Sequence, residues 1–111
     1  MIIVKKILLL LMLTSIFSQQ THAYTTFGTG TLSCKVWLTG VEDFKKGNVR
    51  PFVTRLMWVD GFVSASGWYG TMMKEVDNDD MATIVSQYCN ENPADQISDA
   101  AKALVKKLEI K

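Results

Sequence analysis

The chain has 111 residues, with 12 basic side chains against 11 acidic ones and two cysteines. This length favours one domain, and the balanced charge argues against a nucleic-acid partner, which would need a basic excess. The one histidine, His22, lies in a segment that we expect to be removed, which would leave no histidine to act as a general base or metal ligand.

Residues 1–23 have the layout of a secretory signal peptide. Two lysines precede an apolar run from Ile7 to Phe17, and Thr21 and Ala23 occupy the small-residue positions of a cleavage site. An N-terminal membrane anchor is the alternative, but this run is short against the about 20 residues of a span. We predict cleavage near Ala23, a periplasmic or secreted bacterial location, and one helical domain over residues 24–111. No stable membrane span is expected after cleavage.

The two cysteines, Cys34 and Cys89, predict a disulfide. An even pair in a short secreted chain usually forms one, because the compartment is oxidising. In the chain-entropy model, closing a loop of about 55 residues stabilises the fold by about 4 kcal/mol. The alternative, two free thiols or a redox pair, lacks the C-x-x-C spacing.

The stretch "TLSCKVWL" is ambiguous between a strand and a helix. Alternating apolar residues fit a strand, whereas the i,i+4 pairs Leu32–Val36 and Cys34–Leu38, with Thr31 as a cap, fit a helix. We predict a short helix, because no later segment offers a strand to satisfy its backbone groups. Residues 39–48 are then predicted to be a polar connection.

A long helix is predicted from Val49 to about Met73, capped by Asn48 and with Pro51 in its first turn. Two adjoining stripes cover more than half of its circumference: Phe52, Leu56, Val59 and Val63, and then Trp58, Phe62, Ala65 and Tyr69. So wide an apolar arc indicates a buried, central helix. Its small residues, Gly61 and Ala65, are predicted to let neighbouring helices of the bundle approach closely.

Two further helices follow. Asp77, Asn78 or Asp79 can cap the first of them, whose apolar face is Met81, Ile84, Val85 and Tyr88. Asn92 and Pro93 are predicted to start the last one, with an inner stripe of Ile97, Ala100, Ala101, Leu104 and Leu108. The predicted fold class is all-α, a small disulfide-stapled bundle of three main helices plus a short N-terminal helix.

Catalytic and metal-binding patterns are weak in this sequence. The stretch "GFVSASG" does not match G-x-S-x-G, since Ser64 is displaced from the nucleophile position and the mature chain lacks a histidine. The aspartates at 77, 79 and 80 lack the central Gly and late Glu of an EF-hand. We therefore expect neither an enzyme nor a cofactor.

Protein binding is the function that the composition favours. The long helix carries many large apolar residues, and aromatic and Met side chains are enriched at interfaces. The candidate partner-binding residues are Trp58, Phe62, Trp68, Tyr69, Met72 and Met73. The alternative is that all of them belong to the core, and a homodimer is also left open.

The segments "LSCKVW", with Cys34, and "IVSQYCNENP", with Cys89, resemble the HdeA/HdeB-like periplasmic acid-stress chaperones. Members of that family pair a cysteine near the first helix with one at the end of a later helix, and a Lys-rich helix closes the chain. The block from "SCKVWL" to "DAAKALV" also resembles a widespread group of secreted bacterial proteins. Its "YCNENP" to "DAAKALV" end is similar to Tai-type immunity proteins, which neutralise type VI secretion toxins.

The chaperone resemblance implies an acid response. The mature chain carries ten basic and eleven acidic residues, a net charge of −1. Protonation of its carboxylates below about pH 3 would give roughly +10 and loosen a bundle or dimer by self-repulsion. Unfolded clients would then bind the apolar helix, and Asp60, which interrupts that helix, is the pH-sensing candidate. The immunity resemblance implies instead one specific toxin or envelope partner, bound at neutral pH.

Overall fold

Four α-helices and one short 3-10 turn build the fold over residues 26–111, which are the residues that the computed structural model describes. The 3-10 turn is Gly28–Thr31, and the helices are α1 (Cys34–Lys45), α2 (Arg50–Trp68), α3 (Asn78–Glu91) and α4 (Ile97–Leu108). This confirms the all-α, disulfide-stapled bundle. The predicted signal peptide, including Ala23 and His22, lies outside the described residues.

The first helix is longer than its sequence predicted. It begins at Cys34, after an extended Ser33, and runs through most of the predicted polar connection to Lys45. Thr31 does not cap it, because its hydroxyl donates to the Gly28 carbonyl at 2.8 Å. The helix continues because Phe44 extends its apolar face, with its ring centroid 5.0 Å from that of Phe52.

The long helix α2 is shorter than predicted and ends at Trp68 rather than near Met73. Gly70 stops it by adopting a left-handed conformation with φ of 107°. The Gly70 N–H donates to the Gly67 carbonyl at 3.2 Å and the Thr71 N–H to the Ser66 carbonyl at 3.1 Å. These two bonds form a Schellman motif, which satisfies carbonyl groups at a helix end. At its start, Val49 rather than Asn48 is the N-cap residue.

The ends of α3 and α4 are held by carboxylate and amide side chains. Asp77 caps α3 by accepting from the Asp80 N–H at 2.8 Å, as its sequence allowed. The prediction that Asn92 starts the last helix is wrong, since Asn92 is the C-cap residue of α3 and its side-chain amide donates to the Tyr88 carbonyl at 3.0 Å. Helix α4 starts later, after Gln96, whose N–H donates to the Asp99 carboxylate at 3.0 Å.

The centre of the core is formed around α4 rather than α2. All five residues of its predicted inner stripe are buried: Ile97, Ala100, Ala101, Leu104 and Leu108. The prediction of a central α2 is wrong, because Val59 is its one fully buried side chain. Helices α1, α3 and α4 already fill the interior, so α2 packs on their side with one face in solvent.

The disulfide joins the first residue of α1 to the last turn of α3. Cys34 and Cys89 are 0 % exposed, and their Cα atoms are 4.9 Å apart. Beside them, the Cys34 N–H donates to the Asp95 carbonyl at 2.7 Å, and the Ile97 N–H donates to the Leu32 carbonyl at 2.8 Å. The starts of α1 and α4 thereby satisfy each other's free backbone donors.

Trp37 is the largest fully buried side chain and was not among the residues that the sequence pattern singled out. Its ring meets Phe52 edge-on at a centroid distance of 5.5 Å, and its indole N–H donates to the Ser86 hydroxyl at 3.0 Å. A buried indole needs such a partner. Because Ser86 lies on α3, the sequence around Trp37 does not indicate that this indole is buried.

Removing the disulfide should cost much of the stability of this fold. For the double variant Cys34→Ala/Cys89→Ala, we expect the free energy of unfolding to fall by about 4 kcal/mol, because the unfolded chain regains the freedom of the closed loop. Urea denaturation at pH 7 measures this loss. Wild type treated with reductant should match the variant, and an unchanged urea midpoint would contradict the structural role.

Tyr88 should make the fold sensitive to alkali. Its hydroxyl donates to the Asp95 carboxylate at 2.5 Å, and this bond, then burial, then the charges of Asp95 and Asp99 raise the pKa of Tyr88 from 10.0 to about 12. A raised pKa favours the neutral phenol in the folded state. The resulting stability is present below pH 10.0 and is lost as the pH rises through about 12.

The variant Tyr88→Phe tests this expectation. At pH 7 to 9 it should be less stable than wild type by roughly 1–3 kcal/mol, because it loses a hydrogen bond to a charged acceptor. The difference from wild type should shrink as the pH approaches 12. Urea midpoints of both proteins, measured across this pH range, test the expectation. A stability difference between them that stays constant with pH would refute the titration of Tyr88.

Candidate protein-binding surface

The structure divides the six predicted partner-binding residues into two groups. Trp58, Phe62 and Met73 are partly buried within the chain. The other three lie in solvent: Trp68 and Tyr69 are 87 % exposed and Met72 is 72 % exposed. The second group therefore supplies the free surface.

Trp58 packs against the segment that precedes α1. Its ring stacks on Phe62 at a centroid distance of 5.6 Å, and its indole N–H donates to the Phe27 carbonyl at 3.2 Å. Gly30 lies directly against the ring, where any Cβ atom would overlap it. Trp58 and Phe62 thus pack the N-terminal segment onto α2.

The exposed group lies where α2 ends. Trp68 is the last residue of α2, and Tyr69 is its C-cap residue. Met72 follows directly after the Schellman turn, so all three belong to one short surface segment. The Ile110 N–H donates to the Met72 carbonyl at 2.9 Å, and Ile110 is 52 % exposed. We call these four residues the α2-end patch: Trp68, Tyr69, Met72 and Ile110.

Backbone pairing holds this patch in place. Met73 and Glu109 form an antiparallel bridge, and the Lys74 N–H donates to the Leu108 carbonyl at 2.9 Å. The connection after α2 is therefore attached to the end of the best-buried helix. The local sequence does not indicate Ile110, because only this pairing of distant segments places it beside Met72.

Asp60 lies at a cleft of about 830 Å³ between the second half of α2, the connection and the first turn of α3. With the Asn78 amide nitrogen turned toward Asp60, the orientation that satisfies both groups, it donates to the two carboxylate oxygens at 3.1 and 3.2 Å. Glu75, Asp77 and Asp80 also line the cleft, with Lys74 as the cation among them.

Burial raises the pKa of the Asp60 carboxyl above its ordinary value of 3.8. A carboxyl whose pKa is higher in the folded state destabilises the fold when ionised, and this cost disappears as the pH falls through the folded pKa. Protonation of Asp60 therefore favours the closed bundle. The two hydrogen bonds from Asn78 oppose this effect, because they favour the ionised carboxylate.

Other carboxylates do act as hydrogen-bond acceptors at helix ends and junctions. Asp77 caps α3, Asp99 accepts at the start of α4, and Asp95 accepts from Tyr88 between these helices. Within residues 26–111 the one ion pair joins Lys45 and Glu42 at 3.3 Å, with both side chains more than 60 % exposed. Such an exposed pair contributes little stability.

Within residues 26–111, no three His, Cys, Asp or Glu side chains are grouped so that they could hold a metal ion. Likewise, no helix within residues 26–111 combines the length and apolar character that crossing a membrane requires. Of the aspartates at the start of α3, Asp77 is the cap, and Asp79 and Asp80 lie in the first turn.

The chain matches no protein-family model, no curated protein and no solved structure. The resemblance to HdeA/HdeB-like chaperones and to Tai-type immunity proteins therefore stays a prediction.

The variant Asp60→Asn tests the role of Asp60 in the acid response. At pH 7 we expect a higher urea midpoint than for wild type, because the desolvation cost of a charge at this partly buried position is removed. This difference should shrink as the pH falls toward 3.8 and below, since Asp60 then becomes neutral first in the folded and then in the unfolded chain. A variant that is less stable than wild type at pH 7 would show that the ionised carboxylate favours the fold through Asn78.

Proposed function

We propose that this chain is a non-enzymatic, protein-binding protein of the bacterial envelope that holds unfolded clients at the α2-end patch. The observation that carries the proposal is the exposure of Trp68, Tyr69 and Met72, which is 72–87 % for each side chain. Trp and Tyr are prominent among the residues that dominate the binding energy at protein interfaces, and Met is enriched there because it adapts to irregular apolar surfaces.

Two features support the proposed location in the bacterial envelope. The buried Cys34–Cys89 disulfide fits folding in an oxidising compartment. The signal-peptide layout of residues 1–23 supports export to the periplasm. Both features agree with the location of the chaperones and immunity proteins that the sequence resembles.

Acid is not needed to uncover this patch. Its side chains are exposed in the folded chain, and protonation of Asp60 favours that folded chain. Acid would instead weaken the carboxylate caps of α3 and α4 and add net positive charge, which exposes further apolar surface. Client binding at pH 7 that increases in acid is the behaviour we propose.

A second candidate is a protein that binds one specific partner, as an immunity protein does. The observation that favours it is the backbone pairing of Met72 with Ile110 and of Lys74 with Leu108, which holds the patch in one shape. A preorganised surface reduces the entropy lost on binding, and this suits a single folded partner more than many unfolded ones.

Suppression of aggregation tests the client proposal. The chain over residues 24–111 is mixed with a chemically reduced, unfolding model protein, and light scattering is followed at pH 7 and at pH 3. We expect suppression at both values. The variant Met72→Glu should need roughly tenfold more protein for equal suppression, because a charge replaces a central apolar contact.

Met57→Glu is the matched control, since Met57 lies outside the patch and its 66 % exposure is close to the 72 % of Met72. It should suppress aggregation at least as well as wild type. Affinity capture from periplasm at pH 7 tests the second candidate function. If this function is correct, wild type should capture one partner stoichiometrically, and Met72→Glu should not capture it. A chain that neither suppresses aggregation nor captures a partner would refute protein binding by this patch.

A further inference from the structure

The segment before α1 lies across the ring of Trp58. We call residues 27–32 the N-terminal strap. The Phe27 carbonyl accepts from the Trp58 indole N–H at 3.2 Å, and the buried Gly30 lies so close to the ring that a Cβ atom there would overlap it. The strap covers Trp58 with its backbone, since the Phe27 side chain is 77 % exposed and that of Leu32 is 40 % exposed.

The strap is anchored more strongly beside α1 than over Trp58. At the α1 end, the Leu32 carbonyl accepts from the Ile97 N–H at 2.8 Å, and the Cys34 N–H donates to the Asp95 carbonyl at 2.7 Å. Over Trp58 the hydrogen bond from the indole is exposed to solvent. A segment with few buried apolar contacts and an exposed hydrogen bond opens locally at a smaller cost than the whole fold. Residues 27–31 can therefore leave Trp58 while the anchors beside α1 stay in place.

A groove leads from the covered ring toward the α2-end patch. Trp58 stacks on Phe62 at a centroid distance of 5.6 Å, and Phe62 lines a groove of about 330 Å³ between α2 and α4. The far end of this groove is Glu109, the neighbour in sequence of Ile110 in the α2-end patch. The full lining is Phe62, Ser66, Lys102, Val105, Lys106 and Glu109. Removal of the strap would thus add two aromatic rings to a surface that already reaches the patch.

We propose that the N-terminal strap is an autoinhibitory lid over Trp58 that an unfolded client displaces, an inference that rests on the proposed function. The strap offers Trp58 a backbone carbonyl for its indole N–H and a residue without a side chain for its ring face. An unfolded client offers the same two groups wherever a glycine occurs in an extended segment. Client and strap therefore compete for one ring, and a client that binds only the open chain shifts the population toward it.

The closed state has a modest cost of opening. One exposed hydrogen bond and one ring face are lost, which corresponds to an open fraction of roughly 0.1–10 % of chains. The apparent affinity for a client at Trp58 is reduced by this fraction. The lid would thus keep Trp58 from binding until client is abundant, whereas the α2-end patch is exposed at all times.

The indole protons of wild type test local opening, because the chain has three Trp residues in three different environments. NMR measures their exchange with solvent at pH 7 and rising, sub-denaturing urea. The exposed Trp68 should exchange fastest, and the buried Trp37, bonded to Ser86, should exchange only through global unfolding, at a rate that rises with urea. Trp58 should be protected roughly 10- to 1,000-fold relative to Trp68 and be almost insensitive to urea, because local opening exposes little surface. A Trp58 proton that follows the urea dependence of Trp37, or that exchanges as fast as Trp68, overturns the lid.

Titration of wild type with a reduced and alkylated, permanently unfolded protein tests the competition. We expect the indole resonances of Trp68 and Trp58 both to shift, because the client binds the patch and displaces the strap. A shift of Trp68 alone overturns the lid and leaves the proposed function intact. If neither resonance shifts, client binding at the α2-end patch is refuted as well.

The variant Gly30→Ala should hold the lid open, because its methyl group would overlap the Trp58 ring. Unlike Gly28, Gly30 does not have a positive φ, so alanine can adopt its backbone conformation. Circular dichroism establishes that the variant is folded. We expect the Trp58 indole proton to lose its protection, and equal suppression of aggregation should need about threefold less protein than wild type, because the open fraction no longer limits binding.

Gly61→Ala is the matched control, since a Cβ atom at Gly61 would meet nothing within 4 Å. This open space, together with the exposure of Ala65, also shows that the prediction that these residues admit neighbouring helices of the bundle is wrong. Gly61→Ala should keep the Trp58 protection and the suppression of wild type. A folded Gly30→Ala that suppresses aggregation no better than Gly61→Ala overturns the competition between strap and client.

Discussion

The buried disulfide between Cys34 and Cys89 is the constraint on which the remaining structure depends. It joins α1 to α3, and the backbone hydrogen bonds beside it join the starts of α1 and α4. In so short a chain, a staple can account for a large share of the total stability. Three helices are thereby organised around one buried cluster, with α4 at its centre.

The placement of α2 follows from this arrangement. Because α1, α3 and α4 fill the interior, the helix with most of the large apolar residues buries only one side chain fully. Of its rings, Phe52 packs against Trp37 and Phe44 of α1, Trp58 packs against the N-terminal segment, and Trp68 reaches solvent. The exposed apolar area is thus a consequence of how the core is filled.

Acid affects the carboxylates of this fold in different ways. The described residues contain a single, exposed ion pair, so few strong charge interactions oppose unfolding. Protonation removes carboxylate acceptors at the starts of α3 and α4, whereas it relieves the desolvation of the partly buried Asp60. These carboxylates therefore act on the fold in opposite directions when acid is added.

Local patterns in the sequence were sufficient for the helical class, the cysteine pair, the inner stripe of α4 and the Asp77 cap, because each depends on neighbouring residues or on a pairing with one solution. The way in which distant segments share a limited core volume decides which helix is central, where Ile110 lies and which aromatic residues stay exposed. A wide apolar arc shows that a helix has apolar surface to bury, but only the packed structure shows whether room is left to bury it. For α2 that room was already occupied by residues such as Trp37 and Leu104.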